Sequence, residues 1–302
     1  YTNNPPGGPF RGFGVPQATA AIEQMMDILA ERLSIDPLEL RFKNALRRGD
    51  KNCMGVTLDY STGIVNCLEE IARHPLWQQR NKWKSESNSG RKRGVGIAAL
   101  SHAMGYPPVV PDIANAKIEL TDEGTIRVYA GVVDMGQGNA STNLQIAGEV
   151  LSQEPASMEL VLPDTEKTLP SGSASASRCT YVYGNALIIA AKILKETILE
   201  KSLDILGAGT KDSLVIAHGK VVHIKTGKEL SFKALASSMN PQERTATGFF
   251  QVPVTQEARD VIYMGPHCIF SYGAHLVRIE IDESTGQASI DSYLAVTDAG
   301  RV

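Results

Sequence analysis

Cysteine is scarce here: four in 302 residues, at Cys53, Cys67, Cys179 and Cys268, with no C-x-x-C pair and no metal-ligand spacing. So few thiols in so long a chain fit a reducing cytosol, and a cytoplasmic location is expected. No stretch reaches the ~18 consecutive apolar residues of a membrane span. The chain opens on Tyr1 with neither a charged nor an apolar leader, so no signal peptide is read. Charge of one sign is also missing. The net charge is −3 with acidic and basic residues mixed, which points away from nucleic acid and membrane as partners. The one basic run, Arg91-Lys92-Arg93, reads as a solvated loop. His74, His218, His223, His267 and His275 show no ligand spacing and read as packing or surface residues. There is no short-period repeat.

What is present is an ordinary globular balance, 42% hydrophobic and 21% charged, enough for a sizeable core in one large or two ordinary domains. Ile22, Met25, Met26, Leu29 and Leu33 fall at helical spacing and predict a helix over 16–33. Asp36-Pro37 opens a second helix as N-cap and first-turn proline, ending near Gly49. A third runs from Ser61 past Ile71 toward Trp77 and Trp83. The period then falls to two. Strands are predicted at 94–100, 116–120 and 125–130, the last two as a hairpin around Thr121–Gly124. A helix over 140–151, a strand over 158–162 and a helix over 183–206 follow. Hairpins at 215–224 and 272–297 and a short helix at 231–238 complete the pattern. Strands followed by helix occur twice, so an α+β fold of two subdomains with mixed sheets and packed helices is expected, divided as 1–165 and 166–302.

Three loops combine small residues with single polar side chains: Phe10-Arg11-Gly12-Phe13-Gly14, Met135-Gly136-Gln137-Gly138, and Ser171 through Ser177 before Arg178. Glycine allows close backbone approach and positive φ. Successive bare N–H groups nest anionic oxygens, and helix N-termini favour phosphate. Ser141 and Thr142 add hydroxyls behind the second loop. Gln137, a neutral amide between glycines, donates to an oxo group without adding charge. Arg11 offers a planar cation and its own N–H. Phe10 and Phe13 either stack a flat substrate or belong to the core. Ser101–Pro108, with His102 and Tyr106, is either a funnel lining or a surface loop.

In this order the loops resemble the xanthine dehydrogenase and aldehyde oxidoreductase family. The likeness is carried by Pro9 to Gly14 with Pro16-Gln17, by Asp36-Pro37 with Lys43-Asn44, and by Asp134 to Gly138. It continues through Ser175-Ala176-Ser177-Arg178 with Gly184-Asn185-Ala186, and Gly273-Ala274-His275 with Asp282, Asp298, Gly300 and Arg301. The resemblance implies the molybdenum-binding portion of a large subunit. Such a portion holds molybdopterin with molybdenum, often as the cytosine dinucleotide, and hydroxylates aldehydes or N-heterocycles with oxygen from water. Electrons leave through iron–sulfur and FAD subunits or domains. It implies cofactor binding by Phe10, Arg11, Gly12, Gly136, Gln137, Gly138, Asn139, Ser141, Thr142, Ser175, Ala176 and Ser177. The backbone amides of Arg11 and Ala176 would lie at the metal, Arg11 and Phe13 would meet substrate, and Arg11 and Gln137 would serve the reaction.

The family's glutamate base, in a Gly-Glu loop, and its Gly-Gly-Phe-Gly-Gly loop find no match. Glu149 and Glu159 fall in a helix and a strand. The expectation is a piece of a longer large subunit, its second subdomain truncated at the C-terminal end. Such a piece supplies one wall of a site and is inactive alone. A phosphate- or nucleotide-binding module and an assembly subunit remain as alternatives.

Overall fold

The two-residue period at 94–100 belongs to a longer strand, Arg91–Ala103. It pairs antiparallel with Phe270–Asp282, which pairs in turn with Ala288–Asp298. The structure, a computed structural model, describes residues 3–5, 7, 8, 10–108, 110–260, 267–298 and 300. The partner strands lie far apart in sequence, so the compact units are not consecutive halves. Residues 1–104 with 255–302 form one unit and 105–254 the other. This differs from the division at 165. Periodicity reports that a strand exists and carries no information about its partner, and the chain leaves the first unit only to return to its sheet.

In the first unit, helices Val15–Leu33, Pro37–Asn44 and Ile64–Arg73 accompany the sheet. Leu68 and Ile71 are buried with Leu38, Trp77, Ile97 and Leu276 in one cluster. Asp36 caps the second helix by accepting from Leu38 N at 2.9 Å, and binds Arg80 at 2.6 Å. The predicted third helix ends at Arg73, because Pro75 supplies no N–H; shorter turns Pro75–Gln78 and Arg80–Ser85 follow. Arg91-Lys92-Arg93 is strand rather than loop: Glu280 accepts from Arg91 at 2.6 Å and from Arg93 at 3.0 Å. Long cationic stems lie along a sheet edge when carboxylates on the neighbouring strand receive them.

The second unit is built on a four-stranded sheet in the order Glu159–Val161, Ile126–Tyr129, Ile113–Leu120, Thr245–Gln251. The first pair is parallel and the others antiparallel. Helices Asn139–Leu151 and Gly184–Leu206 bury their apolar faces in the same core as Ile118, Val128 and Ala246. The long helix packs directly over the strand that carries Gly248. A Cβ there would overlap the Ala186 carbonyl and stand 2.6 Å from Ala190 N. A small sheet of Leu214–Ala217, Lys220–His223 and Glu229–Ser231 completes the unit. The α+β architecture of mixed sheets with packed helices stands. Among the described residues, no helix is long and apolar enough to cross a membrane.

Candidate functional site

Strand Ile126–Tyr129, helix Asn139–Leu151 and strand Glu159–Val161 make a parallel crossover. A parallel pair cannot be joined by a tight turn, so both strands deliver their loops at the same, carboxyl, edge. That edge is where open α/β sheets bind ligands. The second and third loops leave from it. Their bases touch at Gly131, where a Cβ would overlap the Leu169 carbonyl and lie 2.6 Å from Ser171 Oγ.

The second loop is held by its own acid. The Asp134 carboxylate accepts from Gly136 N at 2.8 Å, Gly138 N at 3.3 Å and Ala140 N at 2.8 Å. The Ala140 N–H, then that of Gly136, hold its pKa below the ordinary carboxylate range despite some desolvation. The bare nest expected over 136–138 is therefore already filled, as an aspartate two residues ahead of a glycine closes an Asx turn on itself. What remains are the N–H groups of Asn139 and Ser141 in the first helical turn, which find no acceptor among the described residues. Gln137 folds over the loop, accepting from Met135 N at 2.6 Å and donating to Val133 O at 3.2 Å. Asn139 donates to Val133 O at 3.0 Å and Thr142 Oγ1 to Gly138 O at 3.1 Å. One turn on, Asn143 is buried and its Nδ2 has no hydrogen-bond partner.

The third loop is pinned from behind by Arg178, whose side chain is 0% exposed. Its Nε donates to Asp112 at 2.6 Å, Nη1 to Ser171 O at 2.6 Å and Ser173 O at 3.2 Å, and Nη2 to Ile113 O at 2.5 Å. Asp112 also accepts from Tyr106 N at 2.8 Å. Gly172 is required, since a Cβ would stand 2.5 Å from Arg178 Nη1. Ala176 and Ser177 are held at φ 54° and 52°, a left-handed conformation that costs about 1–3 kcal/mol where nothing enforces it. Gly105 N donates to Ala176 O at 2.8 Å, while the Ala176 N–H takes no acceptor among the described residues. Ser175 Oγ lies 2.6 Å from Ser173 Oγ, which is hydrogen-bonded to the Tyr106 hydroxyl. The loop enters a π-turn, Cys179–Tyr183, before its helix.

The first loop belongs to the other unit. Phe13 N donates to Phe10 O at 2.9 Å, and Gly14 at φ 88° opens the helix that follows. Phe10 is 83% and Phe13 68% exposed, which leaves the stacking role open to them and removes the core role from this unit. Gly12 adopts φ 96°, and Arg11 is exposed. The expected partner of Gly300, Arg301, lies outside the described residues, as does Pro9. Glu159 binds Arg127 at 2.7 Å, and Glu149 is exposed on its helix. Among the described residues no group of His, Cys, Asp or Glu is placed to hold a metal ion.

Three residues that position these loops carried no assigned role in the sequence. Asp134 had a legible signal, its place before Gly-x-Gly. Arg178 and Asp112 had none, because burial of an arginine depends on a carboxylate from a distant segment.

Models of the molybdopterin cofactor-binding domain match residues 70–302 and 1–45. The xanthine dehydrogenase molybdenum-binding subunit of Escherichia coli O157:H7 is 31% identical over 306 residues, covering 100% of this chain and 39% of that protein. The aldehyde oxidoreductase of Megalodesulfovibrio gigas is 30% identical, covering 99% of this chain and 30% of that protein. The chain thus spans well under half the length of these relatives. Among solved structures, the aldehyde oxidoreductase from Desulfovibrio gigas superposes with a TM-score of 0.72 at 27% identity, covering 96% of this chain and 29% of that one.

Proposed function

This chain belongs to the molybdopterin cofactor-binding domain family, and on that premise we propose that it supplies cofactor-facing loops to a molybdenum hydroxylase. Its relatives are molybdenum-dependent oxidoreductases. When bound, molybdopterin supplies the two-electron redox chemistry that transfers water-derived oxygen to carbon; the protein's share is binding, orientation and hydrogen-bond donors. The donor set suits such a ligand, rich in oxygens and negative charge. The observation that carries the reading is the pairing of an orphaned buried amide, Asn143 Nδ2, with acceptor-free N–H groups at Asn139, Ser141 and Ala176. These are neutral donors, which suit anionic oxygens without fixing a counter-charge.

In this reading the N–H groups of Asn139 and Ser141, with the Ser141 and Thr142 side chains, would hold the pterin phosphate, Gly136 and Gly138 would keep the loop beneath it closed on Asp134, and Gln137 would turn out from its loop to donate to the cofactor's oxygens. Ser175, Ala176 and Ser177 line the metal pocket, with the Ala176 N–H turned to it. For the first loop the reading rests on the resemblance alone, in which Phe10, Arg11 and Gly12 would be cofactor contacts and the Arg11 amide a donor toward the metal. The Arg11 side chain and Phe13 orient a flat substrate, an N-heterocycle or an aldehyde. The cofactor is taken to be the cytosine dinucleotide form, and electrons leave through iron–sulfur and FAD partners. The remainder of the large subunit supplies the base, because Glu149 and Glu159 are engaged elsewhere or solvent-facing. The isolated chain is then inactive.

Gln137→Ala in the natural-length protein tests the reading. It is expected to keep its molybdenum and lose at least tenfold in turnover of a heterocycle and aldehyde panel, about 1.4 kcal/mol of barrier. Unchanged turnover would favour a purely structural part. The filled nest around Asp134 tells against a free-phosphate module at the second loop.

A further inference from the structure

Tyr106, Ser173 and Ser175 form a row of three hydroxyls outside every assigned role except that of Ser175. Two hydrogen bonds link them, one from Tyr106 to Ser173 and one between Ser173 and Ser175. Each hydroxyl owns one hydrogen, so the row keeps one hydrogen free at an end. Which end depends on which group is the strongest donor. A phenol is a better donor than an alcohol, and the Arg178 guanidinium stands 5.1 Å over the Tyr106 ring, drawing density from it. Burial pushes the Tyr106 phenol's pKa up, but the neighbouring serine hydroxyls and the charge of Arg178 bring it below the ordinary phenol value, so the phenol is more acidic than usual. Tyr106 therefore donates to Ser173, Ser173 to Ser175, and the free hydrogen is that of Ser175. The main chain beneath the phenol is anchored, because Asp112, itself bound to Arg178, accepts the Tyr106 N–H.

We propose that Tyr106 is a positioning residue for the cofactor: through Ser173 it fixes the Ser175 hydroxyl as an outward donor to an anionic oxygen of the molybdenum cofactor. This rests on the function proposed above. Without Tyr106, Ser173 is free to turn its hydrogen elsewhere, and Ser175 spends its own hydrogen on Ser173.

The test is a double-mutant cycle in the natural-length holoprotein, read as the rate at which molybdenum leaves the protein during dialysis, with thermal midpoints as the check on folding. A hydrogen bond to a charged group is worth enough that Ser175→Ala is expected to release metal about tenfold faster. Tyr106→Phe, which removes only the hydroxyl, is expected to speed release about threefold to tenfold and leave KM unchanged. The double variant should release no faster than Ser175→Ala alone, since Tyr106 acts only through that hydroxyl. Ser173→Ala cuts the same row without touching the ring and should match Tyr106→Phe, which covers a Tyr106 variant that fails to fold. Independent, additive effects, or a Tyr106→Phe release rate equal to wild type, would overturn the inference. Wild-type protein that never holds molybdenum would instead sink the function beneath it.

Discussion

Replacing Arg178 by alanine removes the strut behind the third loop, and its cost follows from what the guanidinium touches. The side chain is fully buried and donates to Asp112, to the carbonyls of Ser171 and Ser173, and to that of Ile113. Truncation leaves Asp112, itself buried, with only the Tyr106 and nearby N–H dipoles for company. Breaking a buried ion pair from one side costs about 3–5 kcal/mol, because the remaining charge has no counter-ion. Carbonyls stripped of donors add about 1 kcal/mol apiece where water does not reach them. With three carbonyls the sum, about 6–8 kcal/mol, is a large part of the 5–15 kcal/mol typical of a folded protein. Pairing Arg178→Met with Asp112→Leu removes both charges and leaves the three carbonyls and the Tyr106 N–H without partners, so the double variant should cost about 3–4 kcal/mol, well short of the single one. Urea unfolding followed by far-ultraviolet circular dichroism measures both, and limited proteolysis within 165–178 reports the loop itself. A loss below about 1 kcal/mol for Arg178→Ala, or a double variant as unstable as the single one, would refute the assignment of the clasp to this pair.

Other outcomes follow from the same geometry. Asp134→Ala should raise amide hydrogen exchange at Gly136, Gly138 and Ala140, while Asp134→Asn, which keeps an acceptor, should do so less. Because the folded-state pKa of Asp134 is depressed, the protection it gives is fully present above the ordinary carboxylate range. That protection is lost as pH falls through the lower folded-state value, and exchange measured down an acid series checks the sign. Gly248→Ala sets a methyl group against the backbone of helix Gly184–Leu206, which cannot move aside like a side chain. A drop of about 3 kcal/mol, the upper end for overpacking, is expected in thermal unfolding.

The sequence made the helices legible where capping and period agreed, as at Asp36-Pro37 and in the run from Ala186 to Leu206. The hairpin around Ser284-Thr285-Gly286 was equally plain. Thr245–Gln251 was invisible as a strand because Thr-Ala-Thr-Gly-Phe-Phe-Gln carries Gly248 at its centre and alternates too weakly to register. Its glycine is there for the helix above, a long-range demand. The parallel pairing of Ile126–Tyr129 with Glu159–Val161 was likewise hidden, since neither strand's pattern names a neighbour. For the candidate site, small-residue runs located the second and third loops, but not what holds them. The N–H groups of Gly136 and Gly138 looked available, and their occupation by Asp134 depends on side-chain rotation that no spacing encodes. Arg178 was legible only as the end of the third loop's motif, because the carboxylate that buries it, Asp112, lies 66 residues away in sequence.

The central claim is that these loops hold a molybdenum cofactor. Elemental mass spectrometry of the purified natural-length protein, expressed in cells that make and insert the cofactor, tests it most directly. The account predicts about one molybdenum per polypeptide, accompanied by a pterin released on acid oxidation. Metal-free and pterin-free protein from cells in which a known molybdenum hydroxylase is fully loaded would contradict it.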